Sequence, residues 1–304
     1  MKKGYIFIII TAFLYSTQEI SAKFLAVSAK LDPMQVVFWV FLVGFFIFIP
    51  FMLKDKKKRG IKLHPKDFIF FLVAGTLCIP VSLVFMQTAV GYTRASLVAV
   101  IISANAVFTA PFAYFILKER IKSYMVAALA VTLIGVIFIV DPGSFISGIS
   151  DARNMIGIAF AAGGAISFSL YSVVTAKRLS YFGGYVSNCF SFLCGLVVLF
   201  IIMLILDKPF FKGINYEAIL ILLYMGVFVK ALGYLFFLES IRHTSAITAS
   251  IIFMIKPGLA TLLAFLILGE PLTAMMFIGI AFIFIGSYIS YYFKKKEALL
   301  LSSG

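Results

Sequence analysis

Apolar residues in this chain are gathered into runs of about twenty, with short polar links between one run and the next. A helix rises about 1.5 Å per residue, so about 20 apolar residues cross the hydrocarbon core of a bilayer. Runs of that kind fall at 4–28, 33–53, 67–91, 95–117, 123–140, 154–177, 184–206, 216–240, 246–268 and 273–293. They predict an all-α integral membrane protein with ten transmembrane helices. Composition agrees, since 63% of the 304 residues are hydrophobic and 12% are charged. A soluble domain averages roughly 45–50% and about 25%. Lipid must therefore solvate much of the exterior.

The formal charge of +14 comes from short basic clusters between the runs, with no continuous basic face. That distribution argues against a nucleic-acid partner. With the N-terminus in the cytoplasm, eighteen Lys and Arg residues fall on that side, including Lys54, Arg59, Lys118, Arg178 and Lys294. Only Lys30, Arg94, Arg153, Lys208 and Lys212 fall on the other. This imbalance predicts an N-in/C-in topology in the cytoplasmic (inner or plasma) membrane. No cleavable leader is expected, because Lys2 and Lys3 run straight into the first apolar run without a cleavage site. Cys78, Cys189 and Cys194 lie inside apolar runs without metal or disulfide spacing, and read as packing residues.

Two stretches 151 residues apart align without a gap. They begin at Ala95 and Ala246, pair Thr93 with Thr244 and Ala113 with Ala264, and end at Glu119 and Glu270. Earlier in each half, Ala22-Lys23-Phe24-Leu25 parallels Ala176-Lys177-Arg178-Leu179, which sets Val173 opposite Glu19. Each half then holds five helices: residues 1–145 form the first repeat and 150–296 the second, with 297–304 as a tail. Five is odd, so the second half enters the membrane upside down. Such inverted repeats permit alternating access around a midplane site between the halves.

The segment from Thr244-Ser245-Ala246 through Lys256-Pro257 to Leu268-Gly269-Glu270-Pro271-Leu272 resembles the drug/metabolite transporter superfamily, EamA type. Its first-half counterpart runs from Tyr92-Thr93-Arg94-Ala95-Ser96 to Leu117-Lys118-Glu119-Arg120-Ile121, with Ala106 in place of Pro257. The likeness spans nearly the whole chain. It implies a 5+5 helix carrier; family members include exporters of amino acids and other metabolites and some importers of nutrients.

An ionisable group at the bilayer centre costs about 2.5–3.5 kcal/mol on insertion scales, so each one needs a local reason. Glu19 lies mid-way along the first run, on a polar stripe with Thr11, Tyr15 and Gln18. It is the candidate for proton coupling or for holding an amine; the bland alternative is an i,i+4 pair with Lys23. Lys256, just before Pro257, has Asn105 as its repeat partner, and both are candidate solute ligands. Lys230 and Tyr234 are one turn apart and can share a cavity face. Trp39 and Tyr171 join Tyr15 and Tyr234 as candidate aromatic walls, though packing alone explains any one of them. Glu239, beside Arg242 and His243, reads as a gate or an interfacial salt bridge. Glu119 and Glu270, duplicated at helix ends, suggest capping.

No Walker loop, dinucleotide glycine pattern or His-Glu-x-x-His occurs, and His64 and His243 both fall outside the membrane centre. These absences predict neither enzyme activity, nor a metal, nor a cofactor. The expected partners are a small-molecule solute, the lipid bilayer and a coupling proton; oligomeric state is left open. The leading expectation is a secondary carrier for a small polar or amphiphilic metabolite, an amino acid or similar, working as a proton-coupled exporter. The alternatives are an importer of a choline-like or vitamin-like organic cation and a non-transporting membrane protein.

Overall fold

A computed structural model describes residues 2–25, 31–92, 101–102, 105–140, 152–249, 251–268 and 274–302, and the described residues are helical apart from short links. The Glu19 and Lys23 side chains, Arg94 and Glu270 lie outside the described part of the structure.

Helix α1 is Lys2–Phe24 and α2 is Pro33–Arg59. Asp32 caps α2, its carboxylate accepting from Met34 N at 2.8 Å, and Pro33 fills the first helical position, which needs no N–H donor. Gly60, at φ 63°, ends the helix in the left-handed conformation that glycine adopts without strain. Helix α3 runs from Pro65–Thr76 through a π-helical stretch, Leu77–Leu83, into Val84–Tyr92. Helix α4 joins Asn105–Phe112 to the π-helical Ala113–Leu117, and α5 is Ser123–Val140.

Helix α6, Ala152–Ile205, has 54 residues. A straight helix of that length would reach about 80 Å, against about 30 Å of hydrocarbon. The chain instead breaks at Gly183, whose φ of 72° and ψ of 174° interrupt the helix. The resulting limbs, 152–182 and 184–205, run in opposite directions along α3. In the first limb Ser167 meets Leu77 and Gly164 meets Ser82, while in the second Phe190 meets Phe71 and Gly195 meets Gly75 and Ile79. The sequence predicts a link over 178–183, but all of it except Gly183 is helical.

Helix α7 is Tyr216–His243, capped by Asn215 and π-helical over Met225–Leu232. Helix α8 comprises Ala246–Ala249 and Ile251–Leu268, and α9 is Ala274–Ser302. Among the described residues, Pro33–Arg59, Pro65–Ala89, Met155–Ile205 and Tyr216–His243 are long and apolar enough to cross a membrane. Helices α2 and α9 continue well past the predicted ends at 53 and 293, and α2 carries Lys56, Lys57, Lys58 and Arg59 on its final turn.

Contacts recur in matched pairs. Ser16 Oγ donates to the carbonyls of Ala12 (2.6 Å) and Lys256 (3.1 Å); Ser169 Oγ donates to those of Ala165 (2.8 Å) and Asn105 (3.1 Å). Phe7 packs on Phe236 and His243, as Phe160 packs on Phe85 and Tyr92. Gly75 abuts the Ser191 carbonyl, as Gly226 abuts that of Val40. On the α5–α9 seam, Gly135 abuts Gly279 and Ile283 while Gly286 abuts Ala128 and Thr132. The partners are 151 residues apart throughout, except between α1 and the first limb of α6, where they are 153 apart. That register sets Ser172, not Val173, opposite Glu19. The four-residue match used in the sequence reading was one position out.

Candidate solute site

Lys230 sits in the π-helical stretch of α7, only 3% exposed. Its Nζ donates to Gln18 Oε1 of α1 at 2.9 Å. The same ammonium lies 5.1 Å from the ring centre of Phe41 on α2 and 5.5 Å from that of Tyr234. A desolvated cation on aromatic faces gains about 2 kcal/mol, which offsets part of its burial. Local backbone makes the room. Gly44 passes the Lys230 stem and Phe192, and Gly233 lies so close to Tyr15 that an added Cβ would stand 2.8 Å from that ring. π-Helical segments often mark functional sites, because the extra residue per turn redirects side chains.

Tyr234 is the hub of the surrounding aromatic cluster. Ring centres of Phe192, Phe41, Tyr15, Phe168 and Tyr171 lie 5.3, 5.4, 5.7, 6.1 and 6.4 Å from its own. Its hydroxyl accepts from the Cys78 thiol of α3 at 3.6 Å. Among the described residues the buried Tyr15 hydroxyl has no hydrogen-bond partner, and the buried Tyr171 hydroxyl faces that of Thr175. Leaving a buried hydroxyl unpaired costs about 1–3 kcal/mol. Such a cost is retained where a ligand or water supplies the partner. Asn188 is likewise fully buried, with no partner for either amide atom among the described residues. It lies on one stripe of α6, between Gly184, which faces Leu235 and Glu239, and Phe192, which faces Tyr234.

Five of the residues singled out from the sequence, Tyr15, Gln18, Tyr171, Lys230 and Tyr234, thus come together. The others make different contacts. Trp39 and Gln35 both donate to the Phe210 carbonyl (2.7 and 2.9 Å), fastening α2 to the link before α7. Asn105 donates its amide to Ser169 Oγ and the Ala165 carbonyl, so its side chain ties α4 to α6. Lys256 is half-buried, and its carbonyl receives the Ser16 hydroxyl. Glu239 pairs with Arg242 and His243 at 3.5 and 3.6 Å. Glu119 accepts from the backbone N–H groups of Ala246 and Ile247, capping the start of α8 from the opposite half. Sequence reasoning missed Phe41, Cys78 and Asn188. Only Asn188 carried a signal, as a polar residue inside an apolar run.

An apolar helical bundle with a charged and hydroxylated centre is the architecture of a membrane carrier, and the comparisons agree. Residues 2–141 and again 155–292 match the EamA-like transporter family. The chain belongs to that family, within the drug/metabolite transporter superfamily, and is a multi-pass membrane protein. A relative from Clostridium kluyveri, named as an uncharacterized transporter, is 50% identical over 97% of this chain and 95% of its own. Another, from Methanothermobacter thermautotrophicus and named likewise, is 24% identical over 95% and 86%. A crystal structure 17% identical to this chain superposes at a TM-score of 0.77, covering 94% of this chain and 96% of that one, a likeness that bears on the fold.

Proposed function

We propose that the protein is a secondary carrier that moves a small polar or amphiphilic metabolite, of amino-acid size, across the cytoplasmic membrane by alternating access, as a proton-coupled exporter. In this reading the chain makes ten spans in two inverted five-helix repeats, 1–145 and 150–296, with both termini in the cytoplasm. The observation that carries it is the Lys230–Gln18 pair beside the buried Tyr15, Tyr171 and Tyr234 hydroxyls, where elements of both halves meet. A scaffold gains nothing from that arrangement, whereas a carrier needs polar groups at its midplane. The matched contacts of α1 with α7, and of α6 with α3, support two equivalent halves that can exchange conformations.

Glu19, next to Gln18 on α1, is the proposed proton site. Purified protein in proteoliposomes is expected to show saturable uptake and counterflow, with a rate that depends on the pH gradient. Glu19→Gln should remove that dependence while leaving the melting temperature within a few degrees of the parent. Proton coupling that survives Glu19→Gln would take Glu19 out of the mechanism, and flux without saturation or counterflow would make the protein a channel.

A further inference from the structure

We infer that Asn188 contacts the solute and recognises a carboxamide-like edge, a hydrogen-bond donor and an acceptor side by side. This rests on the carrier reading and deepens it. Phe41 and Phe192 are repeat equivalents, 151 residues apart, and their rings pack edge to face at 4.6 Å. The axis relating the two halves therefore passes between them. Helix α2 and the second limb of α6 run antiparallel there, since Phe51 meets Tyr185, Phe41 meets Phe192 and Phe38 meets Phe200. One turn before each central ring stand Val37 and Asn188, also 151 apart and both buried. These two positions flank the ring pair from opposite sides, and only one of them is polar. Val37 shows that an apolar side chain meets the packing demand here, so the amide needs another reason.

Asn188 has no exposure, and neither its Oδ1 nor its Nδ2 has a hydrogen-bond partner among the described residues. A buried amide left unpaired destabilises a fold, and such groups are retained where a function uses them. The stripe of α6 that carries Asn188 leads from Phe192, whose ring centre is 5.3 Å from that of Tyr234, to Gly184 beside Leu235 and Glu239. Asn188 thus borders the aromatic cluster on its Glu239 side, where the parting of helices in alternating access would bring a solute to it. The amide offers N–H donors and a carbonyl acceptor on neighbouring atoms. Its two-bond complement is an edge of the same kind, as in a carboxamide or a lactam. A ligand with an acceptor alone leaves the Asn188 carbonyl unpaired, and buried polar groups left unpaired are what discriminate most strongly between close analogues.

The test is binding to the full-length protein in lipid nanodiscs, read as a saturable rise in melting temperature. Two probes share one shape: 4-methylpentanamide and 5-methylhexan-2-one, the ketone in which a methyl group replaces the amide nitrogen. The amide is expected to bind about 10-fold or more tightly than the ketone. Asn188→Leu keeps the shape of the side chain and removes its hydrogen bonds. It should abolish the preference for the amide while the ligand-free melting temperature rises by a few degrees, because an unpaired buried amide has gone. A residue with a purely structural role would lower that temperature instead. The inference is overturned if the amide fails to bind at millimolar concentration, if the ketone binds as well, if Asn188→Leu keeps the preference, or if Asn188→Leu lowers the ligand-free melting temperature. The comparison of the two probes on the parent protein needs no variant, so a variant that does not fold leaves it decisive. Binding is read without flux, so such a failure leaves the carrier reading to the counterflow assay, and a failure of counterflow leaves this result standing.

Discussion

Lys230→Met is expected to cut solute transport by about 100-fold or more while the protein stays folded. The methionine stem fills the same space beside Gly44, and its sulfur rests well on the Phe41 and Tyr234 rings. The loss leaves the Gln18 amide oxygen without its donor, at a cost of about 1–3 kcal/mol. What disappears is the charge proposed to hold the solute. Leaving a buried charge unpaired costs about 3–5 kcal/mol, and each 1.36 kcal/mol is a factor of ten. Initial uptake rates at saturating and subsaturating solute, set beside melting curves of the same preparation, check this. Transport within threefold of the parent would place Lys230 outside the solute site.

Gly75→Leu should act in the opposite way, abolishing folded protein without touching the site. A Cβ at Gly75 would land on the Ser191 carbonyl oxygen and stand 2.6 Å from the Gly195 nitrogen. Both neighbours are backbone and cannot rotate away. Close approach through small residues is how helices associate in lipid, where burial of apolar surface no longer drives them together. Overpacking against movable side chains typically costs about 1–3 kcal/mol, so a clash with two backbones should exceed about 3 kcal/mol. The repeat-equivalent Gly226→Leu meets Val43 Cβ and Cγ1 at 2.5 Å but its nearest backbone atom, the Val40 carbonyl oxygen, only at 3.1 Å, and should be milder. Yield of monodisperse protein and melting temperature should fall in the order parent, Gly226→Leu, Gly75→Leu.

Much of this architecture is legible in the sequence, because lipid leaves few choices: apolar runs must be helices, and a charge inside one must have a partner. That logic alone leads from Lys230, Gln18 and the three tyrosines to a common centre. It fails where geometry depends on a neighbouring helix. Nothing in Met225–Leu232 announces π-helical winding, although Pro80 hints at it in the matching stretch of α3. Trp39 reads as a cavity wall, but its indole N–H finds the Phe210 carbonyl instead, a partner supplied by a link 171 residues away. Cys78 reads as filler, and only its position across from Tyr234 gives the thiol a partner. The repeat register is hard to read because the second half joins its first two helices through the single kink at Gly183, with two residues fewer between matched positions than in the first half.

In the proposed mechanism a single buried site opens to each side of the membrane in turn. Its most direct test is a cysteine at Gln18, in a protein whose Cys78, Cys189 and Cys194 have been replaced by alanine, exposed to a membrane-impermeant thiol reagent in right-side-out and in inside-out vesicles. Labelling is expected from both faces, slowed from each by bound solute. Labelling from one face alone, or from neither, would contradict it.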